Sequence, residues 1–315
     1  MKIRLAIGIA LLISAYFLSP RLFSGDSLNS ILLLLPLILT VGLGELLVVI
    51  SGGIDISVGS ILGCSAMSCG VVLKARPDLP LPLCFLVGAI SGLLLGIINA
   101  LLVAKAKLPP LIVTIGTLAS FRGLAFLIGR GETVTGSSVP DALTKLSNRG
   151  LSLGSVTLSW LAITCLFLTL ATAWFLKFRP LGRAIFAFGG QPEASVRRGI
   201  SPSKVQLFVY SFSGLLAGIA GVMYLARFGQ VQPGTAGNGF ELTVIATVAI
   251  AGAKLTGGVG RVANLVFAAF LMAAITVTLS TLGIDANWQM LVYGLVLLVM
   301  VCGDGHRRRK ETALL

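Results

Sequence analysis

The stretch ILLLLPLILTVGLGELLVVI (Ile31–Ile50) runs for twenty residues with a single charge, Glu45, and passes into Ser51-Gly52-Gly53-Ile54-Asp55-Ile56-Ser57-Val58-Gly59-Ser60. A helix that crosses the hydrocarbon layer needs roughly 20 apolar residues. Ile31–Ile50 meets that length, and the glycine pair behind it weakens any continuing helix. Asp55 or Ser57 can cap a new helix into the next apolar run. The stretch therefore reads as a membrane span, a break and a second span.

Counting outward gives ten apolar segments: Leu5–Leu18, Ile31–Ile50, Val58–Leu73, Leu81–Val103, Pro110–Ile128, Leu158–Phe178, Val205–Ala226, Gly239–Ala253, Val262–Leu282 and Trp288–Cys302. Composition agrees. The 315 residues are 56% hydrophobic and 11% charged, whereas soluble domains carry roughly 25% charged residues. The mean hydropathy is +0.99. A disordered chain, a disulfide-stapled secreted domain and an ordinary soluble enzyme are excluded. The expected fold is an all-α polytopic membrane protein of about ten transmembrane helices, some short or broken, in one domain over residues 1–315.

The net charge of +13 points to basic cytoplasmic loops rather than nucleic acid. Threading all ten spans from a cytoplasmic amino terminus puts 15 Lys and Arg residues inside and 7 outside, so both termini are expected in the cytoplasm. A retained first span fits better than a signal peptide, because Ser19, Pro20 and Arg21 follow it without a small-x-small cleavage site. Gly239–Ala253 is short enough for a re-entrant hairpin. A re-entrant fold there would turn the Arg307–Lys310 run outward, so parity favours a crossing.

Five cysteines (Cys64, Cys69, Cys84, Cys165 and Cys302) lie in or beside apolar runs, and the one histidine is His306. They form no metal-ligand or catalytic pattern. Nor is there a G-x-x-x-x-G-K-[ST] loop to hold nucleotide phosphates.

A second break, Leu255-Thr256-Gly257-Gly258-Val259-Gly260, separates two later apolar runs. Gly52, Gly53, Gly257 and Gly258 are the expected helix breaks, either plain interfacial turns or the borders of a pathway. The strings Glu45–Ile50 and Glu241–Ala246 each run toward one break, which leaves a duplicated architecture open. Glu45 lies deep in its span, where a charge costs about 2.5–3.5 kcal/mol on insertion scales. Glu241, near a segment end, reads as interfacial, and Arg122 as one half of a buried pair. Glu45, Asp55, Asn99, Thr114, Thr117 and Glu241 are the candidates for lining a path. Thr114, Thr117 and Ser120 share a helix face at i, i+3 and i+6; such hydroxyls also serve as bonds between helices.

The loop 179–204 contains Gly189-Gly190-Gln191-Pro192-Glu193-Ala194-Ser195-Val196-Arg197-Arg198-Gly199-Ile200. Pro192 suits a first helical position and Glu193 the positive helix end. Arg197 and Arg198 suit the negative end, and Gly199 the stop. This short helix has no apolar stripe to bury in its own chain, so it is either a solvated loop or a knob for a partner.

Together these motifs resemble the permease subunits of bacterial binding-protein-dependent ABC importers of the ribose/xylose/galactose and autoinducer-2 type. The resemblance rests on Val48–Ser60, Asn99–Val103, Leu108–Thr117, Arg122–Ala125, Gly189–Ile200 and Glu241 with Leu255–Gly260, in that order. It implies a multi-pass inner-membrane subunit, not an enzyme, that imports a monosaccharide or autoinducer-2. It further implies that Gln191, Glu193, Ala194, Arg197, Arg198 and Gly199 couple to an ATP-binding subunit. The chain itself would bind no cofactor; ATP and Mg would belong to that subunit. The other implied partners are a periplasmic or lipid-anchored sugar-binding protein, a second permease chain and membrane lipid, with no nucleic acid. Gln191, the basic Val196-Arg197-Arg198 and Ala253-Lys254 depart from the family pattern. An ion-coupled secondary carrier is the alternative class, against which the sparse intramembrane carboxylates and the exposed loop helix argue.

Overall fold

A computed structural model of the chain describes residues 24–312. The expected span Leu5–Leu18 and the cytoplasmic placement of the amino terminus lie outside the described residues. The helices are α1 (Gly25–Ile50), α2 (Val58–Ala75), α3 (Leu81–Ala104), α4 (Pro110–Gly129), α5 (Asp141–Asn148), α6 (Trp160–Phe178), α7 (Pro180–Gly190), α8 (Pro192–Arg197), α9 (Pro202–Phe228), α10 (Phe240–Ile250), α11 (Val262–Thr281) and α12 (Ala286–Thr312). Among the described residues seven helices, α1, α2, α3, α4, α6, α9 and α11, are long and apolar enough to cross a membrane. Two of the ten expected segments, Gly239–Ala253 and Trp288–Cys302, are present as shorter apolar helices, Phe240–Ile250 and, within α12, Ala286–Val299.

The helix α1 forms the hub. In its most apolar window 83% of the residues are buried, against 28% in α3, α4 and α6. It packs on α9, α11, α10 and α6. The outer helices carry their apolar side chains outward, among them Ile112, Leu127, Phe167 and Leu170, as lipid-facing helices do. Trp174 stacks under Arg179 at 4.8 Å, and Lys177 lies 5.2 Å from the Phe178 ring. Aromatic and basic side chains are the usual pairing at a membrane surface.

The closest helix pair is α3 with α9. Gly88, Gly92 and Gly96 on α3 face Gly214 and Gly218 on α9, and a Cβ at Gly92 would overlap the Gly214 carbonyl and the Gly218 backbone. Small residues four apart let two backbones approach in a medium where no hydrophobic force pushes helices together.

The described residues are mostly helical, as expected, with a few short strands at the end of the molecule remote from residues 51–57. The loop after α4 holds β1 (Val134–Thr135), α5, β2 (Gly150–Leu153) and β3 (Val156–Ser159). A fourth strand, β4 (Gln230–Val231), follows α9 and pairs antiparallel with β1, Val134 opposite Val231. The β2–β3 hairpin is tied to the start of α1: Asn29 Nδ2 donates to the Ser155 carbonyl at 3.0 Å and its Oδ1 accepts from Thr157 N at 2.8 Å. These strands are too short to show an alternating pattern in sequence.

The short α10 has a specific cause. Eleven residues at 1.5 Å each cover about 16 Å, roughly half the hydrocarbon layer. The preceding stretch, residues 232–239, is a run of turns. It lies along α2: Gly63 packs on the Ala236 carbonyl and Gly237 on the Gly59 carbonyl. The chain thus passes this level as turns first and helix second.

Replacing Gly92 by Leu is expected to cost about 1–3 kcal/mol by overpacking, read as a lower thermal midpoint of the purified protein in detergent. Gly116→Ala on α4, where a Cβ meets nothing within 4 Å, is expected to be neutral or to gain about 0.5–1 kcal/mol.

Candidate functional site

Both glycine breaks are turns of one design. After α1, Ser51 N bonds Leu47 O, Gly52 N bonds Val49 O and Gly53 N bonds Val48 O. After α10, Ala251 N bonds Thr247 O, Gly252 N bonds Ala249 O and Ala253 N bonds Val248 O. Gly52 has φ +87 and Gly252 φ +84, a conformation that only glycine adopts without penalty. The correspondence therefore sets Gly52 against Gly252. The glycine pair Gly257-Gly258 lies beyond the second turn, and the proposed match of Glu45 with Glu241 is off register by four residues.

The two breaks meet. Gly258 N donates to the Ile50 carbonyl, the last of α1, at 2.8 Å. Gly189, at the end of α7, fills the same corner: a Cβ there would overlap the Ile50 carbonyl and crowd Gly258 N. Gly257 in turn packs on the Gly189 backbone. Three backbone segments (the end of α1, the end of α7 and the second break) therefore touch with no side chain between them.

The helix α8 begins three residues after Gly189. It forms as the sequence indicates, with Pro192 first, and it closes through Gly199 N to Val196 O at 2.9 Å and Ile200 N to Ser195 O at 3.1 Å. Gln191, Glu193, Arg197, Arg198 and Gly199 are exposed, Ala194 is half-buried and only Ser195 is buried. Val196 projects with half its surface free.

Beyond the first turn the chain doubles back beside α1, and its polar groups find partners there. Asp55 N donates to Glu45 Oε1 at 3.2 Å. Asp55 Oδ1 accepts from Ser57 N at 2.9 Å and Ser57 Oγ at 2.6 Å. Asn99 Nδ2 of α3 donates to Ser57 Oγ at 2.7 Å, and Thr114 Oγ1 of α4 to the Ile54 carbonyl at 3.3 Å. Glu45, Asp55, Ser57, Asn99 and Thr114 are fully buried. Thr117 is buried beside them but bonds back to Thr114 O, and Ser120 is exposed and bonds back to Gly116 O. Of the three hydroxyls on that face, Thr114 alone reaches another segment. Tyr210 of α9 completes the cluster, its hydroxyl lying where a Cβ at Gly53 would be. Sequence reasoning missed it; a lone tyrosine in an apolar run was the available signal.

A second polar group lies against the first turn of α2. Glu241 starts α10, is 7% exposed, and pairs with Arg122 at 3.6 Å. Its Oε1 also accepts from Gly239 N at 3.3 Å, and Gly59 leaves room for its Oε2. Arg122 does pair with an acid, but its own side chain is half-buried rather than buried. Glu241, the second residue of α10, is buried in the protein beside Gly59, where the turns of residues 232–239 bring it.

Comparison with known proteins fits this arrangement. The family described as "Branched-chain amino acid transport system / permease component" matches residues 27–301. The chain belongs to that permease family. A ribose import permease protein of Haemophilus influenzae is 32% identical over 93% of this chain and 90% of its own length. Autoinducer 2 import system permease proteins of Photorhabdus laumondii and Escherichia coli are each 32% identical, covering 86% and 93% of the permease and 79% and 83% of their own chains. No solved structure matches. The permease is a multi-pass inner-membrane protein.

Ser57→Ala removes the hydroxyl that joins Asp55 to Asn99. It is expected to lower stability by about 1–3 kcal/mol, the range for stranding buried polar partners. Ser60→Ala, whose hydroxyl only bonds back to Ser57 O at 2.8 Å, is expected to cost less. Thermal midpoints of the two variants check the ranking.

Proposed function

We propose that this chain is the membrane subunit of a binding-protein-dependent importer, driven by ATP hydrolysis in a partner subunit that grips α8. The carrying observation is the corner at Gly189. The residue lies three positions before the start of α8 and touches the last carbonyl of α1 and Gly258 of the second break. A displacement of α8 is thereby delivered to both reversals by backbone contact.

The exposed ends of α8 suit docking. Glu193 stands in its first turn and Arg197 in its last, so a partner groove with a cation at one end and an acid at the other reads both its charge and its direction. The breaks hold the buried polar groups Glu45, Asp55, Asn99 and Thr114, and α10 brings Glu241. In this reading these residues border the solute path and exchange partners as the inward and outward faces open in turn. The solute is a monosaccharide of the ribose class, as the likeness to a ribose import permease supports. Autoinducer 2 is the second reading, supported by the relatives that import it. The assembly contains a second permease chain, the same or related, and a periplasmic or lipid-anchored binding protein. ATP and Mg belong to the ATP-binding subunit.

The test is uptake in proteoliposomes containing the ATP-binding subunit and the binding protein. Glu193→Arg with Arg197→Glu is expected to reduce uptake about tenfold or more, the effect of about 1.4 kcal/mol lost from docking. Insertion and thermal midpoint should be unchanged. Undiminished uptake would refute docking through α8. Labelled ribose and autoinducer 2, supplied in parallel, separate the two solutes. Gly189→Val, which places a side chain in the backbone corner, is expected to uncouple the complex: ATP hydrolysis continues while solute uptake falls.

A further inference from the structure

The geometry points to a buried proton-binding site in which Glu45 and Asp55 share one proton beneath the Tyr210 hydroxyl. Both carboxyl groups are completely enclosed. Neither pairs with a Lys or Arg among the described residues. Two adjacent bare carboxylates in a lipid-embedded core are the least favourable charge state available, and buried groups in that position neutralise instead.

The hydrogen-bond inventory identifies where the proton goes. Asp55 Oδ1 already accepts two bonds from Ser57, as an ionised carboxylate does. Glu45 Oε1 accepts one long amide bond, at 3.2 Å. Four buried polar atoms around these bonds have no partner: Glu45 Oε2, Asp55 Oδ2, Asn99 Oδ1 and the Tyr210 hydroxyl. The first three can only accept when both acids are ionised. One proton on Glu45 Oε2 turns that atom from an acceptor into a donor. Tyr210, 1% exposed, supplies a second donor.

The arrangement suits a proton better than a metal ion. The hydrogen bonds to the two acids come from neutral donors: the Asp55 and Ser57 amides and the Ser57 hydroxyl. A metal ion needs a shell of acceptors, and no group of three His, Cys, Asp or Glu side chains exists among the described residues. Around the pair, α1 supplies Glu45, the break Asp55 and Ser57, α3 Asn99, α4 Thr114, and α9 Tyr210. Asp55 and Tyr210 are the titratable groups facing Glu45 in this cluster.

Binding is a simple transfer. An O–H bond of a hydronium ion breaks, one forms on Glu45, and the pair falls from two negative charges to one. The proton ties the last turns of α1 to residues 53–57. Its loss sets like charges against each other at the point where the chain doubles back, so the proton is a latch on the first break.

Infrared spectroscopy of the full chain in nanodiscs, with purified wild type and Glu45→Gln compared across pH, tests this. Wild type is expected to show a protonated-carboxyl C=O band at neutral pH that disappears under alkali, and Glu45→Gln is expected to lack it. The wild-type thermal midpoint should fall as alkali removes the proton, with no change when sodium is exchanged for choline. In Glu45→Gln, already neutral, that fall should be absent. If wild type shows no such band at neutral pH, the proposal fails, whether or not the variant folds. It also fails if the midpoint depends on sodium or potassium and the variant loses that dependence, which would identify a metal cation as the occupant.

Discussion

Interrupting a helix inside a membrane frees backbone amides and carbonyls where no water can satisfy them. Each interruption in this permease is closed by a local answer to that demand. The amides of Asp55 and Ser57 are taken by the Glu45 and Asp55 carboxyl groups. The last carbonyl of α1 is taken by Gly258 of the other break, and the Ala251 carbonyl by the Asn264 side chain at 3.1 Å. The buried acids thus follow from the broken helices: without the reversals, Glu45 and Asp55 would have no amides to accept from.

The same demand organises the surroundings. The helix α2 starts between the two polar groups, with Asp55 and Ser57 before its first turn and Glu241, paired to Arg122, against Gly59. Its far end is held by Val134 and Val231 of the β1–β4 pair, which pack on Gly70. The α3–α9 seam is a backbone-to-backbone contact of another kind, running along two unbroken helices. One region of the bundle is therefore uniformly helical, and the other is assembled from turns that bond to one another.

Much of this was legible in the sequence. Long apolar runs announce their helices because length alone decides the matter, as for α3, α4 and α6. The helix α8 was readable to within a residue, since Pro192, Glu193, the two arginines and Gly199 each act locally. What failed was non-local. Residues 232–239 have the composition of an exposed loop, and their burial depends on Gly59 and Gly63 of α2 offering a track without side chains. That track is what brings Glu241 against Gly59. The sequence left a correspondence of the two breaks open because the glutamates do not mark it; the repeated feature is a left-handed glycine after each helix. The β strands contain two to four residues each, below the length at which alternation carries information.

The contact at Gly189 is made by main chain alone, and main-chain atoms are common to every residue. If α8 docks on a motor as proposed, its outward surface can change to suit a different one without retuning the gearing behind it. Swapping that six-residue helix between related transporters would then exchange engines while keeping the cargo.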